Sequence, residues 1–421
     1  MRIEALANRR CSPSDGGVEH LVRLRFTAPD AELTAVRTPV NVSLVMDRSG
    51  SMAGSKLEAA RAAIDASVRM LRAEDRFSLV MFNSKVRVVC ESTHANDEAR
   101  LHAQNRVNRV RADGGTNLSG GWLEGAKQVH EYKGEGHLGR VLLATDGQAN
   151  EGITNETELF GHARELRARG TSTSTIGIGH DFNESLLQGI AEQGGGNFYH
   201  VESFGQLTDL LTSELGEALQ ITVSQPRVEL TVPEGAEVTL LNRFEVDHSE
   251  GGYAVLLDDL TSGQAVEISL LLRLPAAQVG REVALGFVIR GGVGRVVLAS
   301  TAMHWTHVPA AEFEQAPRDY VVETAVAHVM LAQARREALD HNSARRFPQA
   351  RQVLEQIAAR LEPLAKANRA IRALLDGLDE EGPAYDADMS PMMRQESSMA
   401  SFAMLRSRDS QGKARRGWSK D

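Results

Sequence analysis

Between residues 38 and 219, short apolar runs alternate with segments of helical period, and this alternation restricts the fold more than any other feature of the chain. Residues 40–46 are apolar apart from Asn41 and Ser43, as a parallel strand covered on both faces should be. Residues 56–71 follow with Leu57, Ala60, Ile64, Val68 and Leu71 on one stripe, the mark of a helix lying on a sheet. The same reading predicts strands at 77–82, 86–90, 139–145, 171–178 and 197–201. It predicts helices at 118–132, 156–169, 184–192 and 204–219. Strands alternating with amphipathic helices build an α/β domain around a doubly wound, mainly parallel, Rossmann-like sheet.

The flanks have a different character. Residues 2–7 and 20–26 read as strands; in the second, Val22, Leu24 and Phe26 share one face and Arg23 and Arg25 the other. Residues 221–308 hold six short strand-like runs separated by Pro, Gly and Asp-rich turns, with no helical stretch, which is the pattern of a β-sandwich. The two N-terminal strands have no sheet of their own. They are expected to join this sandwich, leaving the α/β domain inserted between its strands. Residues 318–376 are rich in Ala, Leu, Arg and Glu and predict helices, either a small packed appendage or a docking platform. Residues 379–421 are rich in Ser, Met and Arg without sustained periodicity and predict a flexible tail with a basic end. The expected fold class is therefore multidomain, α/β plus all-β, with a helical segment following. Its divisions fall at 1–36, 37–220, 221–309, 310–378 and 379–421.

Composition narrows the function. The formal net charge is −9 and aromatic residues make up 5% of the 421 residues. A general nucleic-acid or anionic-membrane binder needs a basic field, and extended base stacking needs aromatic platforms. Neither kind of partner is expected. Apolar runs fall far short of the roughly 20 residues that span a bilayer. The opening stretch MRIEALANRR lacks the apolar core of a signal peptide, so a cytoplasmic location is expected. Two cysteines, Cys11 and Cys90, make neither a disulfide framework nor a four-thiolate zinc site. His130, Glu131 and His137 lack metalloprotease spacing, and the triple glycine at 194–196 lacks the Lys-Ser/Thr of a phosphate loop. No histidine motif stands near Ser49 or Ser51 to make a catalytic triad. The chain is expected not to be an enzyme.

One constellation remains. The first buried strand ends in Asp47-Arg48-Ser49-Gly50-Ser51; downstream come Gly114-Gly115-Thr116-Asn117 and Thr145-Asp146-Gly147. Asp47 and Asp146 both end buried strands of one parallel sheet, and ligands of open α/β sheets bind outside those carboxyl ends. Two carboxylates and several hydroxyls are thus aimed at one crevice. Hard oxygen donors without Cys or His suit Mg2+, with Mn2+ or Ca2+ as alternatives. The turn itself also has a simpler use, since Ser51 or Ser55 can cap the following helix.

The pattern DxSxS, with a distant Thr and a distant Asp, resembles the metal-ion-dependent adhesion site of the von Willebrand factor A domain family, over about residues 38–219. The resemblance implies that Ser49, Ser51 and Thr116 act as hydroxyl ligands, and that Asp47 and Asp146 bind a divalent ion directly or through water. It implies an open coordination position for an Asp or Glu side chain of a protein partner, hence an adaptor or assembly factor. The β-rich flanks are similar in layout to bacterial and inter-alpha-trypsin-inhibitor-like relatives. A-domain proteins also accompany AAA+ ATPases of the MoxR and chelatase type, which makes a non-catalytic accessory subunit of such a machine the alternative.

Overall fold

The structure, a computed structural model, describes residues 1–31, 37–132, 137–179, 181–248, 252–292, 294–410 and 412–416. The chain divides into two compact units, Ala31–Thr222 and Met1–Asp30 with Val223–Asp421. Residues 32–36, where the first boundary is expected, lie outside the described residues, as does the end of the tail.

The N-terminal strands are β1 (Arg2–Ala7), β2 (Cys11–Pro13) and β3 (Glu19–Thr27). The α/β unit then runs β4 (Val40–Asp47), α1 (Ser55–Met70), β5 (Arg76–Phe82), β6 (Val86–His94), α2 (Asp97–Val107), α3 (Leu118–Glu131), β7 (Leu138–Thr145), α4 (Glu156–Ala168), β8 (Thr171–Ile178), α5 (Glu184–Gly194), β9 (Gly195–Val201) and α6 (Leu207–Ala218). Its sheet has the order β6-β5-β4-β7-β8-β9, parallel throughout except for β6, which runs antiparallel to β5.

Every residue of β4 is buried. Val42, Leu44 and Met46 pack in one cluster with Leu57, Ile64 and Val68 of α1 and Leu211 and Leu215 of α6. Successive side chains of a strand point to opposite faces, so Val45 faces the other layer, which α3 covers. Gly121 and Gly125 let α3 settle there: a Cβ on Gly121 would run into Phe82, and one on Gly125 into Val45. This close approach fixes where α3 begins, beside the end of β4. Helix α2 is not legible in the sequence, because it has no apolar stripe and buries only Ala103 and Val107.

The other unit continues with β10 (Ile221–Val223), β11 (Arg227–Thr231), β12 (Glu237–Leu240), β13 (Glu245–Asp247), β14 (Tyr253–Leu256), β15 (Leu260–Thr261), β16 (Ala265–Arg273), β17 (Glu282–Gly291) and β18 (Val296–Val308). It ends with α7 (Ala310–Gln315), α8 (Tyr320–Ser343), α9 (Phe347–Ala365), α10 (Arg369–Glu381) and α11 (Pro391–Leu405). Strand β3 pairs antiparallel with β16 along its whole length, Glu19 opposite Arg273 and Thr27 opposite Ala265. Together they form the sheet β1-β3-β16-β12, and a second sheet has the order β13-β14-β11-β17-β18-β2. Val22, Leu24 and Phe26 of β3 share one apolar cluster with Leu285, Phe287 and Ile289 of β17 and Trp305 of β18. The opposite face of the first sheet, through Leu21 and Leu271, joins a cluster with α8, α9 and α10. Arg23 and Arg25 are consequently buried, and Arg23 donates to Glu267 Oε1 at 2.6 Å.

The tail differs from the expectation of a flexible segment. Residues 391–405 form α11, capped by Ser390, whose hydroxyl oxygen accepts from Met393 N. Phe402, Ala403 and Leu405 are buried, and Ala265 N donates to Arg415 O at 2.9 Å. The helix has a weak pattern of its own and is held by tertiary packing, which sequence periodicity cannot report. No helix among the described residues is long and apolar enough to cross a membrane.

Candidate functional site

Strands β4 and β7 are parallel neighbours, and they deliver Asp47 and Thr145-Asp146 side by side at the carboxyl edge of the sheet. After Asp47 the chain folds over that edge. Arg48 N donates to Phe82 O at 2.7 Å, and Gly50 N donates to Gly114 O at 3.1 Å. Gly114 has φ +73, so the 108–117 connection can meet this turn without a Cβ penalty. Ser49 N donates to Asp47 Oδ1 at 2.7 Å, and the Ser49 and Ser51 hydroxyls bond each other at 3.0 Å. Ser51 Oγ donates to Asp146 Oδ1 at 2.7 Å, and Thr145 Oγ1 donates to Asp47 Oδ2 at 2.5 Å.

Thr116 arrives just before α3. Its N–H donates to Asn150 Oδ1 at 2.9 Å, and its carbonyl accepts from Asn150 N at 3.2 Å. Gly147 marks the space that Thr116 shares with Asp47: a Cβ there would stand 3.4 Å from Thr116 Oγ1 and 3.9 Å from Asp47 Oδ2. The five residues singled out in the sequence, Asp47, Ser49, Ser51, Thr116 and Asp146, therefore converge at one end of the sheet.

Asp47 is fully buried, Ser49, Thr116 and Asp146 are nearly so, and Ser51 lies exposed at the mouth. Burial raises the Asp47 carboxyl above the usual carboxylate range, against the lowering effect of the bonds from Thr145 and Ser49; the charge of Asp146 adds to the rise. The donors are two carboxylates and three hydroxyls. Among the described residues no group of three or more His, Cys, Asp or Glu gathers to hold a metal, so nitrogen and sulfur ligands are not on offer here. Such an oxygen set fits a hard divalent cation that keeps some of its water.

Some neighbours differ from the sequence reading. Arg48, half-buried, is engaged within the site. It bonds Asp113 Oδ1 at 2.6 Å and Asn83 Oδ1 at 2.9 Å, pinning the 108–117 connection to the turn. Asn150 serves the backbone of Thr116. The sequence reading leaves out Lys56, yet its Nζ donates to Asp146 Oδ2 at 2.7 Å; its place in the first turn of the helix that follows Ser51 is the available signal.

Comparison with known proteins agrees with the fold. The von Willebrand factor type A domain family matches residues 41–213. The uncharacterized protein YfbK of Escherichia coli (strain K12) is 31% identical over 187 residues, which cover 44% of this chain and 32% of that protein. The inter alpha-trypsin inhibitor, heavy chain 4 of Mus musculus is 31% identical over 162 residues, covering 37% of this chain and 17% of that protein. The chain thus spans a third or less of the length of these two relatives. Among solved structures, a von Willebrand factor type A protein from Catenulispora acidiphila superposes with a TM-score of 0.71 at 18% identity, covering 99% of this chain and 97% of that one. Residues 41–213 form a von Willebrand factor type A domain, a family that typically mediates protein–protein interactions.

Proposed function

We propose, from the von Willebrand factor type A domain at residues 41–213, that this chain is a metal-dependent protein-binding module and not an enzyme. Asp47, Ser49, Ser51, Thr116 and Asp146 would hold Mg2+. The convergence of two buried carboxylates and three hydroxyls on one edge of the sheet carries this reading. When bound, the ion supplies a Lewis-acidic position that a carboxylate completes better than water does.

The chain's own residues supply the rest. Thr145 and the Ser49 N–H orient the Asp47 carboxylate from behind, one on each oxygen. The Ser51 hydroxyl, at the mouth, links Asp146 to Ser49. Asn150 and the Arg48–Asp113 pair hold the two connections that carry Thr116 and Ser49. The partner is a protein presenting an Asp or Glu side chain. The β-rich unit is read as a sandwich that the α/β unit interrupts, a layout supported by the pairing of β3 with β16 and by the cluster common to both sheets.

Calorimetric titration with Mg2+ tests the socket. Saturable binding is expected for the wild type, with loss in Asp47→Ala and strong weakening in Ser49→Ala. Equal binding by all three proteins overturns the proposal. So does capture of a protein partner that persists undiminished in chelator.

A further inference from the structure

Lys56 is the second residue of α1. At that end of a helix the first-turn N–H groups gather partial positive charge, so a cation is disfavoured there. Its Nζ nevertheless lies 2.7 Å from Asp146 Oδ2; the Lys56 side chain is 42% exposed and that of Asp146 only 3%. The ammonium therefore reaches from the open side into a buried acidic socket, and the carboxylate offsets its unfavourable position on the helix.

We propose that Lys56 is a tethered cation of the socket, which weakens its hold on a divalent ion and strengthens the loaded socket's hold on an acidic ligand. This rests on the metal-binding reading above. The argument is one of charge. Asp47 and Asp146 repel each other, and Lys56 cancels one of their two charges. A divalent ion that draws on Asp146 must displace the ammonium or share the carboxylate with it, and both oppose binding. Once loaded, two carboxylates, one ammonium and one divalent ion sum to a net positive socket. Without the lysine the same sum is zero. An incoming carboxylate thus meets attraction that the metal alone does not provide. The flexible four-carbon stem lets the ammonium swing off Asp146 without moving α1. The neighbouring guanidinium of Arg48 does not do this work, because it is engaged by Asp113 and Asn83.

Two titrations on the full chain test the opposed signs. Mn2+ uptake is followed by calorimetry in wild type, Lys56→Met, Lys56→Arg and Asp47→Ala, each first shown to be folded by its melting curve. Acetate is then titrated into the Mn2+-loaded proteins, and the loss of water-proton relaxation enhancement reports displacement of metal-bound water. Lys56→Met is expected to bind Mn2+ roughly three- to tenfold more tightly and acetate roughly three- to tenfold more weakly, as one unit charge a few ångströms away requires at an intermediate effective dielectric. Lys56→Arg should stay near wild type on both. Unchanged affinities in Lys56→Met, as for an ordinary exposed ion pair, overturn the inference while leaving the metal reading intact. Two affinities moving in the same direction do the same. Absence of Mn2+ uptake by the wild type, or equal uptake by Asp47→Ala, removes the metal reading and this inference with it.

Discussion

In the β-rich unit the buried carboxylate of Glu323 meets a guanidinium two-handed: Arg318 donates through Nε to Oε1 at 2.7 Å and through a terminal nitrogen to Oε2 at 2.9 Å. In the α/β unit Asp47, equally buried, receives neutral donors from Ser49 and Thr145. Another buried carboxylate of that unit, Glu214, is instead saturated by four hydrogen bonds from Ser174, Asn197 and Tyr199. A charge closed by its own partners is scaffold. A buried charge with neutral partners and lone pairs to spare is a place prepared for something that arrives later. The two regions should therefore respond in opposite ways when their charges are removed.

The largest effect is expected at the closed pair. Arg318→Ala leaves Glu323 buried without a counter-charge, a change that typically costs about 3–5 kcal/mol. Denaturant unfolding of the full chain should show that loss in the transition of the β-rich unit. The Mg2+-induced shift of the α/β unit should be unchanged. A loss below about 1 kcal/mol would mean that the pair is not closed in solution, and the contrast with Asp47 would weaken.

His20 sharpens the same point by pH. It is fully buried on β3, with its Nε2 3.1 Å from Ser12 Oγ and its ring beside Trp305. Burial, helped by the charges of Arg9 and His307, pushes its pKa down from 6.5 to about 4. Between these values the unfolded chain binds a proton that the folded one refuses. Stability of the β-rich unit is therefore complete above pH 6.5 and falls as the pH drops toward 4, by about 3 kcal/mol in total. His20→Gln should flatten this part of the curve in equilibrium unfolding measured in chelator. An equal slope in the variant would assign the acid sensitivity to other groups.

The sequence carried the α/β core and the socket because both rest on local signals. Strand β4 is apolar apart from Asn41, Ser43 and its terminal Asp47, the α1 stripe has helical period, and Asp47, Ser49 and Ser51 sit on one turn. Thr116 and Asp146 are distant in sequence, but Thr116 stands just before α3 and Asp146 just after β7, two elements whose type was legible. What escaped depends on tertiary partners. Helix α2 buries two side chains and shows no period. Helix α11 folds because Phe402 and Leu405 find a covered site. Arg23 and Arg25 look like the solvent face of a strand until Glu267 and the helices cover them. Lys56 looks like any polar residue in a first helical turn, and only the register of β4 against β7 brings Asp146 within its reach.

The smallest expected effect bears most directly on the contrast. Burial disfavours the charged form of Asp47, so in chelator the carboxylate works against the fold that holds it. Asp47→Asn keeps the shape and removes the charge. Its Oδ1 can still accept from Ser49 N, and Thr145 can turn its hydroxyl to accept from the new amide. The metal-free variant should be more stable than wild type by about 1 kcal/mol, a rise of about 2–4 °C in the melting temperature of a unit this size. It should also lose the Mg2+-dependent rise that the wild type gains, which is about 2.7 kcal/mol when the ion stands at a hundred times its dissociation constant. The sign with pH follows from the raised pKa. The folded protein holds the Asp47 proton more tightly than the unfolded chain, so acidification through the raised carboxyl range stabilises wild type relative to the variant, and the gap between them closes. A metal-free Asp47→Asn protein that melts below wild type at neutral pH would place Asp47 with Glu323 and Glu214, among carboxylates that the fold itself requires.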